Sequence, residues 1–293
     1  MKLKLGGVQP LKRLGQNFLT DKTALKKVIT AAELKPTDII LEIGPGTGIL
    51  TQELAKRVKR VIAIEKDKRM VEILEDALKN FRNIKIIHGD IRKSDFLPKL
   101  GSDGSRTSIK YQASMRSEGE EENQVLFAYK VVANLPFYLT APVIRKFLEG
   151  KNPPKEMILI IQKEVAQRIC AKPPDMNLLA VAVQFYAKPK IISYISKKSF
   201  WPQPKVDAAI IKIPRFPKSQ IYDWISETNK SLFFKIVKAG FSQPRKQLIN
   251  NLSKKLKINK DKVKNWLLEN GVPPTQRAET LTVEDWIKLA RSS

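Results

Sequence analysis

The chain has 293 residues, with 54 Lys and Arg against 29 Asp and Glu, which gives a net charge of +25 and an isoelectric point near 10.0. Its 42% hydrophobic content can build a core and excludes a disordered basic tail. The length fits one large domain, or a large and a small one. The charge excess indicates a polyanionic partner, either nucleic acid or an anionic membrane surface, because solubility alone needs no balance so one-sided.

Cysteine and histidine usage and hydropathy exclude further classes. Cys170 is the one cysteine, so the chain has no internal disulfide framework, and the single His88 with scattered acids gives no zinc-type ligand set. The N-terminus lacks an apolar signal segment, and the longest apolar run, 178–183, is too short to span a bilayer. The sequence therefore predicts a soluble, cytoplasmic protein without a membrane anchor or a bound metal.

From residue 38 onward the chain alternates strand and helix patterns. Short apolar runs, typical of buried parallel strands, lie at 39–43, 61–64, 84–87, 130–133 and 157–161. Apolar residues at helical spacing follow the first two runs, at Leu50, Leu54 and Val58 and at Val71, Leu74 and Leu78. This alternation predicts an α/β fold with a mainly parallel sheet.

Two departures from the alternation predict the domain organisation. Between about 100 and 125, turn-like and acidic stretches with few apolar residues predict an inserted loop, for which a tolerated surface insertion is favoured over a functional role. From 215 the chain becomes basic, with four helix patterns, of which one ends at Gly271 and the last begins at a Thr282 N-cap. We predict one domain over 1–214, with a basic N-terminal segment 1–30, and a small all-helical domain over 215–293.

Three polar or glycine-rich features stand at the ends of consecutive predicted strands. Gly44, Gly46 and Gly48 follow the first strand, where glycines allow a sharp turn and a close approach to a ligand. Glu65 ends the second strand, where a carboxylate can accept from both hydroxyls of a ribose, and Asp90 follows the third, where it can accept from the adenine amine. Taken singly, each of these three features is also compatible with a purely structural turn or a capping side chain. Together they predict a pocket for an adenosine-containing cofactor.

A second candidate site, Asn134-Leu135-Pro136-Phe137, follows the fourth strand. The carboxamide oxygen of Asn134 and the neighbouring backbone carbonyls can accept hydrogen bonds from an aryl amine. Pro136 fixes the turn, and Phe137 offers a stacking face. The combination suits an extruded nucleobase, and the alternative is a purely structural turn.

Positive charge concentrates at the N-terminus and in the C-terminal third. Residues 186–264 contain 19 Lys and Arg against four Asp and Glu, which favours contact with phosphates over a set of merely solvated helix faces. The candidate RNA-binding residues are Lys12, Arg13, Lys197, Lys198, Lys205, Arg245 and Lys246.

Several stretches, in order along nearly the whole chain, resemble the small-subunit ribosomal RNA adenine dimethyltransferases. The segment 134–137 is similar to the Asn-Pro-Pro-Tyr type of motif found in amino methyltransferases that use S-adenosylmethionine. The other matching stretches are Leu-Gly-Gln-Asn-Phe-Leu at 14–19, the glycine loop at 41–48, Phe-Trp-Pro-Gln-Pro-Lys-Val-Asp at 200–207, the basic segment 241–252, and Arg-Ala-Glu at 277–279.

The resemblance implies a Rossmann-like methyltransferase sheet and transfer of methyl groups from S-adenosylmethionine to N6 of two adjacent adenines in the 3′-terminal hairpin of small-subunit ribosomal RNA. It implies that the segment 134–137 is catalytic, that the small ribosomal subunit is the partner, and that the enzyme is a monomer. The residues that it places at the cofactor or the transfer site are Asn17, Leu19, Gly44, Gly46, Glu65, Asp90 and Asn134. Three departures from the family are Phe137, where many members have Tyr, the inserted loop at 100–124, which lengthens the gap between Asp90 and Asn134, and 172–178, which lacks the usual Tyr-Gly-x-Leu pattern.

Three other readings remain open. A 23S ribosomal RNA adenine methyltransferase of the macrolide-resistance type would share the fold and the Asn-x-Pro-aromatic motif. A non-catalytic ribosome-assembly or RNA-binding factor could use the same scaffold, although the intact Gly44, Glu65 and Asn134 speak against it. A small-molecule methyltransferase would leave the basic helical domain without a purpose.

Overall fold

The computed structural model describes residues 9–93, 128–150, 152–217, 219–221 and 227–293. The predicted insertion at 100–125 lies outside this range, as do the first eight residues of the basic N-terminal segment. The chain divides into two compact units, Met1–Gln162 with Ile192–Lys212 and Lys163–Ile191 with Ile213–Ser293. The boundary at 214/215 therefore stays a prediction, and the segment 163–191, which precedes it, belongs to the second unit.

A seven-stranded sheet positions the candidate sites. Its strands are β2 (Ile39–Ile43), β3 (Arg60–Glu65), β4 (Ile84–His88), β5 (Lys130–Asn134), β6 (Glu156–Gln162), β7 (Lys190–Ile195) and β9 (Ala208–Pro214). They are ordered β4-β3-β2-β5-β6-β9-β7, and every pair from β4 to β6 is parallel. The strand order reverses between β2 and β5, and ligands of open α/β sheets bind at such a switch point, outside the carboxyl ends of the strands. All five predicted strands and the α/β class are confirmed.

The described part of the first unit also contains a two-stranded ribbon and four α-helices. The ribbon pairs β1 (Phe18–Leu19) with β8 (Phe200–Trp201) in antiparallel fashion. The helices are α1 (Lys22–Ala31), α2 (Ile49–Ala55), α3 (Lys68–Leu78) and α4 (Thr140–Glu149). Asp21 and Asp67 cap α1 and α3 by accepting hydrogen bonds from first-turn amides. Val58, which the sequence placed on the face of α2, lies three residues beyond the end of that helix but is still buried.

Two buried lysines stabilise the amino ends of the central strands. Lys130 Nζ lies 3.1 Å from a carboxylate oxygen of Asp38 and 3.0 Å from one of Glu156. Lys212 Nζ lies 2.7 Å from Glu33 and 3.3 Å from Glu156. Lys130 also donates to the backbone carbonyls of Ala32 and Glu33, which directly follow α1. These hydrogen bonds hold the C-terminal end of α1 against the sheet. Buried charges of this kind are tolerated because each has an opposite partner and further hydrogen bonds.

The second unit is helical in its described part. Its helices are α5 (Lys163–Ile169), α6 (Leu178–Gln184), α7 (Glu227–Gly240), α8 (Leu248–Leu256), α9 (Lys260–Glu269) and α10 (Val283–Arg291). The four predicted helix patterns are α7 to α10. Gly271, just beyond α9, has a left-handed φ of 73°, and Thr282 forms a capping box with Asp285. Trp286 is fully buried against Gly240. Within the described range, no helix is long and apolar enough to cross a bilayer.

Candidate functional site

A cavity opens at the carboxyl ends of β2, β3 and β5, within the first unit. The structure brings both predicted sites into its wall, together with residues 14–19, the N-terminal signature segment. The predicted residues that line it are Asn17, Leu19, Gly44, Gly46, Glu65, Asn134, Leu135, Pro136 and Phe137. Residues from four separate stretches thus form one site, as expected when parallel strands end at the same edge of a sheet.

The glycine loop forms the floor of the cavity by adopting backbone conformations that other residues avoid. Gly44, Gly46 and Gly48 have φ values of 67°, 54° and 75°. A Cβ on Gly46 would stand 2.8 Å from the ring of Phe18, which packs over the loop. A side chain at position 46 would therefore be strained twice, by the positive φ and by the overlap. The loop leaves backbone amides close to the cavity, where a ligand can approach.

Glu65 is held rigidly at the end of β3. Its Oε1 atom accepts hydrogen bonds from the amides of Lys66 at 2.8 Å and Asp67 at 2.9 Å, and its Oε2 atom accepts from the amide of Gly46 at 3.3 Å. Burial raises the pKa of this carboxyl, although the three amides oppose the change. The carboxylate lines the cavity at the predicted ribose position with a fixed orientation, and it keeps lone pairs for further donors.

Glu42, in strand β2 at the start of the glycine motif, also lines the cavity, although the sequence assigned it no role of its own. Its side chain is 1% exposed, and its Oε2 atom has no hydrogen-bond partner among the described residues. Burial raises its pKa from 4.5 to about 8. A buried acceptor without a donor indicates a place for a positively charged ligand group. The signal in the sequence was the acid itself, which stands alone in the apolar run 39–43.

Asn134 is oriented by the N-terminal signature segment. Its Nδ2 atom donates to the backbone carbonyl of Asn17 at 2.9 Å. Since a carbonyl can only accept, the nitrogen end of the carboxamide must face Asn17, and the Oδ1 atom is left to accept from a ligand. The segment is itself fixed, because Gln16 donates to Asp67 at 3.0 Å. The side chain that the sequence singled out is thus held in one rotamer before any ligand binds.

Three aromatic rings lie with Asn134 in the cavity wall: Phe18, which packs over Gly46, and Phe137 and Phe200. Phe137 is half-buried in the turn after β5, and Phe200, from β8, is 5% exposed. The turn is packed from outside by Gly15, where a Cβ would stand 3.3 Å from Tyr138 and 3.5 Å from Pro136. Phe200 belongs to the Phe-Trp-Pro-Gln-Pro stretch, but its place in the cavity depends on the β1–β8 pairing, which no local pattern reveals. The cavity therefore offers an acceptor flanked by flat apolar faces, which suits a planar base.

Asp90 is the predicted site residue that the structure does not bring into the cavity wall. Arg92 donates to it from both Nε, at 3.0 Å, and Nη2, at 2.6 Å, and Lys66 Nζ lies 3.0 Å away. These donors, led by the Arg92 hydrogen bonds, hold the pKa of the Asp90 carboxyl far below its usual range. To accept a hydrogen bond from an adenine amine as well, the Asp90 carboxylate would have to use a lone pair that neither Arg92 nor Lys66 occupies. Its role at the cofactor stays a prediction.

The candidate RNA-binding residues lie on the surface of their units. In the first unit Lys12, Arg13, Lys198 and Lys205 are exposed, and the Lys197 amide donates to Asp207 at 3.0 Å. In the second unit Arg245 and Lys246 are exposed in the turn between α7 and α8. Across the described ranges, no three His, Cys, Asp or Glu side chains come together as a metal site requires. The absence of a metal stays a prediction.

Comparison with known proteins places the whole described chain in one group. The family model described as ribosomal RNA adenine dimethylase matches residues 9–293. A relative from Dehalococcoides mccartyi (strain CBDB1), named ribosomal RNA small subunit methyltransferase A, is 41% identical over 278 residues, which cover 95% of this chain and 86% of the relative. A relative of the same name from Clostridium botulinum (strain Langeland) is 38% identical over 281 residues, covering 95% and 92%.

Solved structures agree with this grouping. A dimethyladenosine transferase from Plasmodium falciparum has a TM-score of 0.70 at 26% identity and covers 93% of this chain and 95% of its own. The 23S rRNA methyltransferase ErmE has a TM-score of 0.69 at 22% identity, covering 94% and 99%. At that identity the second likeness shows the shared fold alone. The Rossmann-like sheet with helices at the C-terminus is therefore confirmed.

Proposed function

The chain belongs to the ribosomal RNA adenine dimethylase family, and from that premise we propose that it transfers methyl groups from S-adenosylmethionine to N6 of two adjacent adenines in the 3′-terminal hairpin of small-subunit ribosomal RNA. Relatives at 36–41% identity that bear the name small subunit methyltransferase A support this choice of substrate. We further propose that the enzyme acts in the cytoplasm on the assembling small subunit, as a monomer and without a metal.

The cavity fits S-adenosylmethionine by the chemistry of its lining. The cofactor, when bound, supplies an electrophilic methyl group on a sulfonium. Glu42 offers a buried carboxyl oxygen that has no donor in the described part of the chain, which suits the ammonium of the methionine part. Glu65 offers a fixed carboxylate for the ribose hydroxyls, and Gly44 and Gly46 leave room beside the backbone. This fit agrees with the cofactor that the family implies.

The observation that carries the proposed mechanism is the contact between Asn134 Nδ2 and Asn17 O at 2.9 Å. It leaves Asn134 Oδ1 as one acceptor, and the backbone carbonyl of Leu135, the next residue in the same turn, is the proposed second one. An adenine amine that donates to both oxygens becomes more pyramidal, so its lone pair is less delocalised into the ring and can attack. The chain then works by positioning and by preorganised dipoles, without a strong base, because the proton becomes acidic once the nitrogen carries positive charge.

Phe137 and Phe200 are proposed to hold the extruded base. Both rings lie in the wall that contains Asn134, so a planar base between them is kept out of water and out of its own helix. A second transfer to the same nitrogen has one N–H fewer to offer, so stacking must hold the base when one hydrogen bond is lost. Phe137 supplies the stacking face that Tyr gives in many family members, and only a hydroxyl contact is absent.

Two alternatives make different predictions. A large-subunit enzyme of the macrolide-resistance type shares the fold, but the corresponding structure is 22% identical, whereas small-subunit relatives reach 41%. A non-catalytic assembly factor would bind RNA but transfer no methyl group. The complete glycine loop and the preset Asn134 favour an enzyme, because a pure binder has no need of either.

The test is tritium transfer from labelled S-adenosylmethionine to small subunits that lack the modification, with large subunits as the competing substrate. We expect label in the small-subunit RNA with the parent protein and almost none with Asn134→Ala. Tyr194→Ala, a change of an exposed side chain that does not line the cavity, is the control and should transfer at the parental rate. Label in the large-subunit RNA would support the resistance-type reading, and binding without label would support the assembly factor.

A further inference from the structure

An open groove lies beside the cavity, between α1 and α2 of the first unit. Five residues line both the groove and the cavity: Phe18, Leu19, Leu25, Thr47 and Ile49. The floor of this α1–α2 groove is therefore continuous with the wall of the proposed transfer site. When one nucleotide of an RNA strand is inserted into the cavity, the rest of the strand must continue along a neighbouring surface of the protein. The groove is such a surface.

Trp201 stands at the edge of the α1–α2 groove as a supported aromatic surface. Along β8 the side chains alternate, so Phe200 is 5% exposed while Trp201 is 43% exposed. The Trp201 ring stacks on Phe18, with centroids 6.3 Å apart and planes at 27°, and Phe18 packs in turn over Gly46. A large aromatic ring that is exposed yet held from below can stack a base at little cost in side-chain entropy.

Basic side chains of α1 line the groove. Lys22 and Lys26 are four residues apart, so they lie on one face of the helix, and both are exposed. Neither forms an ion pair with any part of the chain that the structure describes. Asp21, which also lines the groove, keeps its negative charge, because the Ser199 hydroxyl at 2.9 Å and the Thr23 amide at 2.7 Å lower the pKa of its carboxyl; the groove-lining residues on this side therefore carry one excess positive charge.

The opposite side of the groove, on and just after α2, is also positive on balance. Lys56 and Arg57 both pair with the single carboxylate of Glu53, at 2.6 Å and 2.7 Å. One positive charge therefore remains in excess on this side as well, so the groove lining has four basic side chains against two carboxylates. A groove with an apolar floor, an aromatic surface at its edge and basic residues on both sides has the chemistry of a single-stranded nucleic acid site.

We infer that the α1–α2 groove binds the single-stranded RNA that adjoins the target adenine, with a neighbouring base stacked on Trp201 and backbone phosphates at Lys22 and Lys26. The inference rests on the proposed function and specifies how the substrate is held outside the cavity. In this arrangement the groove fixes the strand while Asn134 and Phe137 act on the extruded base. Lys22, Lys26 and Trp201, which line the groove and not the cavity, thus raise affinity for RNA without touching the reacting atoms.

The test measures binding of a fluorescent single-stranded oligoribonucleotide of about ten nucleotides, by anisotropy at several salt concentrations and without cofactor. We expect Trp201→Ala to weaken binding about tenfold and Trp201→Phe to recover most of the loss. The double change Lys22→Ala/Lys26→Ala should lower the slope of log affinity against log salt by about 1.4, the release expected for two phosphates on a single strand.

Matched controls use exposed residues outside the groove. Tyr194→Ala removes another exposed aromatic ring of the first unit, and Lys35→Ala/Lys155→Ala removes two exposed lysines at the amino ends of strands. Both should leave oligonucleotide affinity within about twofold of the parent, although the second pair removes the same charge from the protein as a whole. Unfolding curves of every variant show whether the fold is kept.

Equal losses for Trp201→Ala and Tyr194→Ala, or no loss in either, would overturn the inference. Weaker binding to whole small subunits with unchanged oligonucleotide binding would also overturn it, in favour of a ribosomal protein as the occupant. Failure of the proposed function has a different signature. In that case the parent would transfer no methyl group to RNA, while the oligonucleotide affinity would still depend on Trp201 and the two lysines.

Discussion

The buried carboxyl of Glu42 should make the stability of the cofactor-free protein depend on pH in a direction that is unusual for an acid. Burial raises its pKa from 4.5 to about 8, so the folded protein keeps the proton that the unfolded chain releases. The stabilisation is therefore complete below pH 4.5 and is lost progressively as the pH rises to about 8. We predict that Glu42→Gln, which resembles the protonated acid and cannot ionise, removes this loss.

The size of the effect follows from the interval over which the two states hold different numbers of protons. Each pH unit between 4.5 and about 8 corresponds to about 1.4 kcal/mol, which sums to about 5 kcal/mol at most. Since Glu42 is 1% exposed, solvent screening does little to reduce this figure. Relative to the parent, Glu42→Gln should gain free energy of unfolding steadily across the interval and gain nothing further above it.

The assay is urea unfolding of both proteins at half-unit steps of pH, taking the difference between them so that other titrating groups cancel. Glu53→Gln is the control with the opposite sign, because its hydrogen bond with Lys56 lowers the pKa of Glu53 and its stabilisation is present only above the ordinary pKa. A difference between Glu42→Gln and the parent that stays constant from pH 4.5 to 8 would refute the reasoning, since it would mean that Glu42 ionises equally in both states.

Three further predictions concern the site and the scaffold. Asn134→Ala should lower the rate of methyl transfer by about 100- to 1000-fold in single-turnover kinetics and leave the cofactor affinity nearly unchanged in calorimetry. Equal losses of transfer rate and of cofactor affinity would assign Asn134 to cofactor binding instead. Phe137→Ala should be severe and Phe137→Tyr mild in kcat/KM, and similar losses for the two would argue against stacking. Lys130→Met should lower the free energy of unfolding by about 3 kcal/mol, because it removes the ion-pair partner of Asp38 and leaves Glu156 with Lys212 alone, whereas Lys79→Met on the surface should change it by less than about 1 kcal/mol; equal effects would refute the role of burial.

The parts of the fold that local patterns encode were predictable from the sequence. Strands buried on both faces read as apolar runs, which is why 39–43 and 130–133 fall within β2 and β5. Helix ends were visible where their chemistry is local, as at Thr282, whose side chain caps α10 within three residues. The glycine loop and the turn 134–137 were predictable for the same reason, because each sits directly after a strand.

The parts that depend on distant contacts were not predictable. The pairing of Phe18 with Trp201 joins segments about 180 residues apart, so neither the cavity position of Phe200 nor the supported Trp201 ring has a local signature. Asp90 was predicted as a free acceptor, but the structure pairs it with Arg92, two residues later, and with Lys66 from another strand end. The orientation of Asn134 likewise depends on Asn17, whose motif was recognised but whose contact was not.

The central claim is that Asn134, held by Asn17, directs methyl groups to N6 of adenines in small-subunit RNA. Its most direct test is mass-spectrometric mapping of modified nucleosides after incubating the protein and S-adenosylmethionine with small subunits that lack the modification. We expect N6,N6-dimethyladenosine at two adjacent positions of the 3′-terminal hairpin with the parent and none with Asn134→Ala. Dimethyladenosine at any other site, or an equal yield from Asn134→Ala, would contradict it.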